Sequence, residues 1–324
     1  SSASSSASSS ASSASAHSQP SSSRSSFAHK CSHHRSLCVQ TSLLIERAFR
    51  STARQPSVAL THYLTSLLVG AGVGAVFWQV DVFIPGMQNR FGVLFFSLVY
   101  LALTSLSAVD VFIRPRELMW REVSMGYYSP AAFYLALYAL DVCVFRLLPT
   151  SVYGAVVYPM IGLVDTTEGF IVFLLLLLLA SVVASSFCLA VSAVSNNISQ
   201  ATFLCTVFFI VSMVFGGLFQ SNETGGTLSG LRYFSFLNYA YEALCINEFK
   251  DLTIFFNPKG LPVVETSGDT VLSNFGMYPE NFRRNVMAGL CFWGTFFLLG
   301  FAGLFVSARS PKRRRKRLCP FRTC

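Results

Sequence analysis

Apolar residues in this chain come in long, nearly uncharged runs separated by shorter polar segments, so run length is the first thing to read. A bilayer core about 30 Å thick needs roughly 20 apolar residues at about 1.5 Å of helix per residue. Six runs qualify: Val58 to Trp78, Phe91 to Ile113, Pro130 to Leu163, Gly169 to Val194, Ile198 to Phe219, and Val286 to Ser307. The third is longer than one straight crossing requires. It reads as a single tilted helix that begins in the cytosolic headgroup layer and bends near Pro149, whose ring removes a backbone donor. The expected fold class is all-α: a polytopic membrane protein with six transmembrane helices.

Composition agrees, since 52% of the 324 residues are hydrophobic and 12% charged, where a soluble protein carries about 25% charge. Ser1 to Ser26 is mostly Ser and Ala, too polar to offset the entropy of ordering, and residues 1–42 are expected to be a disordered tail. The same composition fits an organelle transit peptide but lacks a clear amphipathic arginine pattern. Residues 43–57 are expected as an interfacial connecting helix, with Leu43, Leu44 and Ala48 on one side and Glu46, Arg47, Arg50 and Arg54 around the rest. Residues 58–307 form the six-span domain and 308–324 a basic cytosolic tail. The run Lys312 to Arg317 also suits a nucleic-acid patch, a reading the apolar spans disfavour, and no nucleic-acid partner is expected.

The nine cysteines are scattered, and Cys143, Cys188, Cys205 and Cys291 fall in apolar runs where a thiol acts as a small hydrophobe. No disulfide framework is implied. His29, Cys31, His33, His34 and Cys38 cluster without paired zinc-ligand spacing, so no metal site is expected.

Orientation follows from Lys and Arg, which are enriched on cytosolic flanks. With both termini cytosolic, the inner segments hold seventeen basic residues and the outer ones six. Gln220 to Asn285 then becomes a large external loop, in which the Tyr-, Phe- and Leu-rich stretch Leu231 to Phe249 is expected to form short re-entrant helices at the outer interface. Asn222 opens a glycosylation sequon on that side, close to the membrane; Asn197 opens one facing the cytosol.

A more specific signal begins at Ser107, in SAVDVFIRPRELMWREVSMGYYSPAAFYLA, followed by LPTSVYGAVVYPMIGL. With FGGLF at Phe215 to Phe219 and LRYFSFLNYAYEALCINEF at Leu231 to Phe249, these blocks resemble the membrane domain of G-subfamily ABC exporters, the White and pleiotropic-drug-resistance type. The resemblance runs from about Leu43 to Ala308 and favours a connecting helix that leans on a nucleotide-binding domain. No GxxxxGK[ST] phosphate loop occurs in the chain. ATP and Mg are therefore expected in a partner nucleotide-binding domain, with no cofactor and no catalytic residue here. The chain begins at Ser1 rather than Met, so a piece of a longer protein with that domain upstream is the first expectation and a separate membrane subunit the second.

The resemblance implies roles for particular residues. Arg116, Glu117, Trp120, Arg121 and Glu122 fall on the family's coupling helix; the alternative is a solvated turn. Asp110, Asp141 and Arg146 are the residues inside spans that are charged at neutral pH, where each costs about 2.5–3.5 kcal/mol to insert. They are expected to form a polar network, with snorkelling at the interface as the alternative. Phe96, Val99, Tyr100 and Leu103 on the second span, with Thr206, Ile210 and Met213 on the fifth, are expected to line a substrate cavity, or else to pack against helices. Leu103 stands where a multidrug relative stacks flat ligands on an aromatic ring. Leu218 and Phe219 occupy the place of the outer apolar plug.

The implied function is one membrane half of an ATP-driven exporter of a lipid, sterol or hydrophobic small molecule, paired with a second half as homodimer or heterodimer among membrane lipids. An ion-coupled secondary transporter is the competing reading, although the repeated halves expected of one are not seen. A non-transporting regulatory subunit is the third.

Overall fold

The computed structural model describes residues 36–54, 56–80, 84–164, 166–217, 229–250, 252–256 and 264–309. The chain is an all-α polytopic membrane protein. Among the described residues five helical stretches are long and apolar enough to cross a bilayer, and a sixth apolar helix is shorter.

Helix α1 (Leu37–Arg54) covers the segment expected as a connecting helix, beginning six residues before the expected Leu43 and ending at Arg54, three residues short of the expected 57. A tertiary contact explains the extension: Gln40 Oε1, in its first turn, accepts from the Ser129 backbone N–H at 3.0 Å. Helix α2 (Ser57–Val76) is the first span and lies along the second half of the third span, Leu148–Ile161. Small residues set that approach, since a Cβ on Gly74 would come within 2.7 Å of the Met160 side chain.

The second span is broken. Helix α3 (Ile84–Thr104) turns at Ser105 and Leu106 into α4 (Ser107–Ser124), so the expected helix end at Ile113 is replaced by a helix that continues through Pro115. The third span is continuous over residues 130–161 but changes register inside: α5 (Pro130–Leu140), a π-helical segment Asp141–Leu147, then α6 (Leu148–Ile161). The expected irregularity near Pro149 thus takes the form of a π segment just before it, where the proline nitrogen cannot donate to the Phe145 carbonyl. Ser129 caps α5 by accepting from the Ala132 N–H.

Helix α7 (Thr167–Val194) is the axis of the bundle. Its 28 residues, about 42 Å at 1.5 Å each, are apolar on all sides and pack against α3, α4 and α6 as well as three later helices. Helix α8 (Ile198–Val214) is the fifth span, shorter than the expected run to Phe219, and ends in a turn at Gly216 and Gly217, where φ is +92° at Gly217.

Beyond it, a 3₁₀ turn (Ser229–Phe234) leads into α9 (Phe236–Phe249), the expected helical pair. Rather than resting on the surface, α9 is buried over most of its length against α3, α7 and the last span. The antiparallel strands β1 (Thr253–Phe256) and β2 (Val264–Ser267), with Thr253 opposite Ser267, and α10 (Gly268–Asn274) lead to α11 (Phe282–Arg309), the last span. The Ser-rich N-terminal stretch through Arg35, the Asn222 sequon and the Lys312–Arg317 run lie outside the described residues.

Helices α7 and α11 pack along much of their length because α11 carries Gly289, Gly300 and Gly303 on the shared face. A Cβ on Gly300 would sit 3.1 Å from the Ala190 Cα, a backbone atom that cannot step aside. Gly300→Val is therefore expected to lower stability by about 1–3 kcal/mol, read as a fall in the thermal unfolding midpoint of the detergent-solubilised chain. Gly294→Val, at a glycine whose Cβ would meet nothing within 4 Å, is the control.

Candidate functional site

Polar side chains inside this bundle gather at a few points. At the break in the second span, Asp141 and Arg146 are both buried and form a two-pronged ion pair, Arg146 Nε to Asp141 Oδ2 at 3.2 Å and Nη2 to Oδ1 at 3.1 Å. They stand five residues apart, the spacing that i→i+5 hydrogen bonding brings onto one side of a helix, so the π segment is what lets them meet. Arg146 also donates to Ser105 Oγ at 3.3 Å and Ser107 Oγ at 3.1 Å, the two serines flanking the α3–α4 break. Ser105 Oγ in turn donates to the Leu101 and Ser181 carbonyls. One guanidinium thereby ties the third span to both halves of the second, and Ser105 passes the tie to α7.

Asp110 stands apart from this group and corrects the expected three-residue network. It faces Arg114, one turn on, at 3.4 Å, because α4 continues as a helix and places the two at i and i+4.

The far end of α4 carries the residues assigned to the coupling helix. Glu117, Arg121 and Leu118 are exposed. Arg116 and Trp120 are buried, and Arg116 donates to the Ser192 and Ser195 carbonyls at 2.7 and 2.8 Å. It satisfies the C-terminal carbonyls of α7 and places a cation at the negative end of that helix. Arg116 is thus spent on the bundle itself, and the surface left for a partner is narrower than the five expected residues.

Glu122 faces α1. It accepts a two-pronged pair from Arg47 at 3.0 and 2.9 Å and a hydrogen bond from the Tyr128 hydroxyl at 2.6 Å. The hydrogen bond to Glu122 raises the Arg47 pKa above its ordinary value. Burial, then the hydrogen bond to Glu122, pushes the Tyr128 phenol up as well, so the phenol stays neutral and donating. The planar fork suits a carboxylate in a way that lysine would not.

The expected cavity residues divide. Phe96, Leu103 and Ile210 are exposed large apolar side chains on α3 and α8, and Val99, Thr206 and Met213 are partly exposed. Tyr100 is buried: its hydroxyl donates to Ser66 Oγ at 3.2 Å and its ring stacks on Tyr153 with centroids 4.9 Å apart. Leu218 and Phe219, the expected plug, lie outside the described residues.

A fourth cluster was not anticipated. Arg90, at the start of α3, forms a buried ion pair with Glu248 at the end of α9 and donates to the Val80 and Gly162 carbonyls at 3.1 and 2.8 Å. Four chain segments meet on that guanidinium. The available signal was Glu248 itself, one of two acids, with Glu242, in the Leu231–Phe249 stretch.

These features define a class: a multi-pass helical domain whose spans are cross-tied by buried ion pairs and whose first helix is clamped to the end of its second span. The chain belongs to the ABC-2 type transporter family, whose model matches residues 39–249. It is similar to ABC transporter G family member 24 of Dictyostelium discoideum, 33% identical over 247 residues covering 76% of this chain and 21% of that protein. It is similar to a probable ATP-dependent permease of Saccharomyces cerevisiae, 31% identical over 267 residues covering 82% and 25%. It also resembles the broad substrate specificity ATP-binding cassette transporter ABCG2 of Mus musculus, 33% identical over 215 residues covering 66% and 33%. The chain thus spans a third or less of the length of these relatives.

Removing one member of the buried Asp141–Arg146 pair strands the other in an apolar interior. Asp141→Leu alone is expected to cost about 3–5 kcal/mol, and Asp141→Leu with Arg146→Met distinctly less. Unfolding midpoints of the three proteins in one detergent check this; a double variant no better than the single would show that the pair does not act as a unit.

Proposed function

We propose that this chain is the path-forming half of an ATP-driven exporter, with its connecting helix and the end of α4 serving as the surface on which a nucleotide-binding domain acts. The observation that carries this reading is the Arg47–Glu122 clamp. It makes α1 and α4 a single lever, so force applied to the exposed Glu117 and Arg121 is delivered to the bundle instead of being lost in a loose turn. Arg116 passes it to α7, and the group around Arg146 links α4 to the π segment of the third span. ATP and Mg would be held by the nucleotide-binding domain.

Two such halves, identical or different, would bring their α3 and α8 faces together around an apolar cavity, with Phe96, Val99, Leu103, Thr206, Ile210 and Met213 toward it. Such a lining takes a lipid, sterol or other hydrophobic small molecule and offers no charge to an ionic one. Alternation between inward-open and outward-open states requires each state to bind ATP or cargo differently. The excess of Lys and Arg on the segments assigned inside supports cytosolic termini. The names of the relatives, which include an ATP-dependent permease and a transporter of broad substrate specificity, support the class of activity.

The test is uptake of a fluorescent lipid or hydrophobic dye into inside-out vesicles carrying a full-length protein with its nucleotide-binding domain. Transport should require ATP; uptake that persists with a hydrolysis-dead motor would overturn the mechanism. Glu122→Gln keeps an acceptor for Tyr128 but loses the ion pair. On this partly exposed pair it should shift stability by no more than about 1 kcal/mol, yet lower transport several-fold while ATP hydrolysis continues.

A further inference from the structure

A cleft opens between α7, α9 and α11, with Leu179, Val183, Tyr239, Ala243 and Val286 among its lining residues. Asn285 lines it too. Its side chain is 2% exposed, yet neither Oδ1 nor Nδ2 has a hydrogen-bond partner. Neighbouring amides are provided for: Asn281 donates to Glu242 at 3.2 Å and Asn247 to the Gly169 carbonyl at 3.1 Å. An unpaired buried amide costs about 1–3 kcal/mol, and acyl chains cannot relieve it.

The chemistry of the gap narrows what fills it. The amide offers one acceptor and one donor group, which a single hydroxyl matches in both senses. No charged side chain lines the cleft among the described residues, so a phosphate or carboxylate there would be uncompensated. A lone water would find the amide and apolar walls, short of the roughly three hydrogen bonds usual for buried water. The enclosed space is about 10 Å³, room for one water-sized group and far below the roughly 300–1,000 Å³ of small-molecule sites, so only a hydroxyl end enters and the apolar body stays outside.

Position agrees. Asn285 is three residues into α11, about 4.5 Å along the helix, and thus near the end of the last span, where lipid alcohols place their hydroxyls. Deeper along the same helix the lining continues as Val286 and Gly289, and the exposed Met287 and Leu290 lie beside it.

We propose that this cleft binds the uncharged hydroxyl of a membrane alcohol, exchanging hydrogen bonds with both ends of the Asn285 amide while the apolar body lies outside the cleft against the partly exposed Val286 and Tyr239. The site rests on the membrane fold and not on the transport reading, and its test reads labelling instead of transport. The full chain is placed in phosphatidylcholine nanodiscs with either a diazirine-bearing sterol or a diazirine-bearing long-chain fatty alcohol, each beside its carbonyl analogue. Labelled peptides are then mapped by mass spectrometry.

An alcohol probe should label the first turns of α11 and the Tyr239 region of α9, its carbonyl analogue several-fold less. Asn285→Leu should cut labelling at least tenfold while leaving the thermal midpoint unchanged or higher, since it removes an unpaired amide. Ala240→Val, which narrows the cleft and keeps Asn285, should cut labelling too and carries the test if the first variant fails to fold. Labelling by one alcohol and not the other identifies the source and upholds the site. Labelling that is equal in wild type and variants, or equal for alcohol and carbonyl analogue, overturns it.

Discussion

Inside a bilayer a polar group has no solvent to fall back on, and much of this structure can be derived from that one constraint. Its sharpest expression is Arg146. A guanidinium with five donors sits almost fully buried in the third span, and every interaction around it serves to satisfy those donors. Asp141 supplies the counter-charge, Ser105 and Ser107 supply the remaining oxygens, and both serines are available because the second span breaks between them. The π segment is part of the same solution. An α-helical register would turn residues five apart onto different sides and leave the pair unmade.

Buried ion pairs are poor evidence of stability, since an apolar substitute of the same volume is often as good. The Asp141–Arg146 and Arg90–Glu248 pairs are therefore better understood through what they join. Each is placed where chain segments distant in sequence converge, the first on α3, α4 and the third span, the second on α3, α9 and the segments at Val80 and Gly162. Such a junction has few alternative arrangements, because any slip leaves a charge unpaired in an apolar medium.

Spans were legible in the chain because hydrophobic length is a one-dimensional property, and all six runs contain an apolar helix. Their ends were not, since α4 runs past Ile113 on the strength of Arg116 and Trp120 being buried against neighbours that are remote in sequence. The irregularity before Pro149 was foreseeable from the ring, but its π character depends on the Asp141–Arg146 pairing, which becomes visible only in three dimensions. The same limit explains Asp110. Three ionisable residues in spans suggested one network, yet membership is decided by which face each occupies, and Asp110 faces Arg114. Arg90 and Glu248, 158 residues apart, left no pairing signal at all.

The exposed stripe on α3 has the character of a lipid-facing surface and of a path for cargo alike. An apolar face alone is compatible with either, because lipid and a hydrophobic ligand ask the same of it. Tyr100 adds something. In a stripe that merely met lipid, an amphipathic ring could place its hydroxyl at the bilayer surface; here it turns inward, binds Ser66 and stacks on Tyr153, which itself hydrogen-bonds Ser97. The consequence is that Phe96, Val99 and Leu103 present carbon alone, backed by a layer of locked aromatic rings. A surface so backed changes shape little, which suits one that must meet the same partner face repeatedly, whereas lipid, being fluid, makes no such demand.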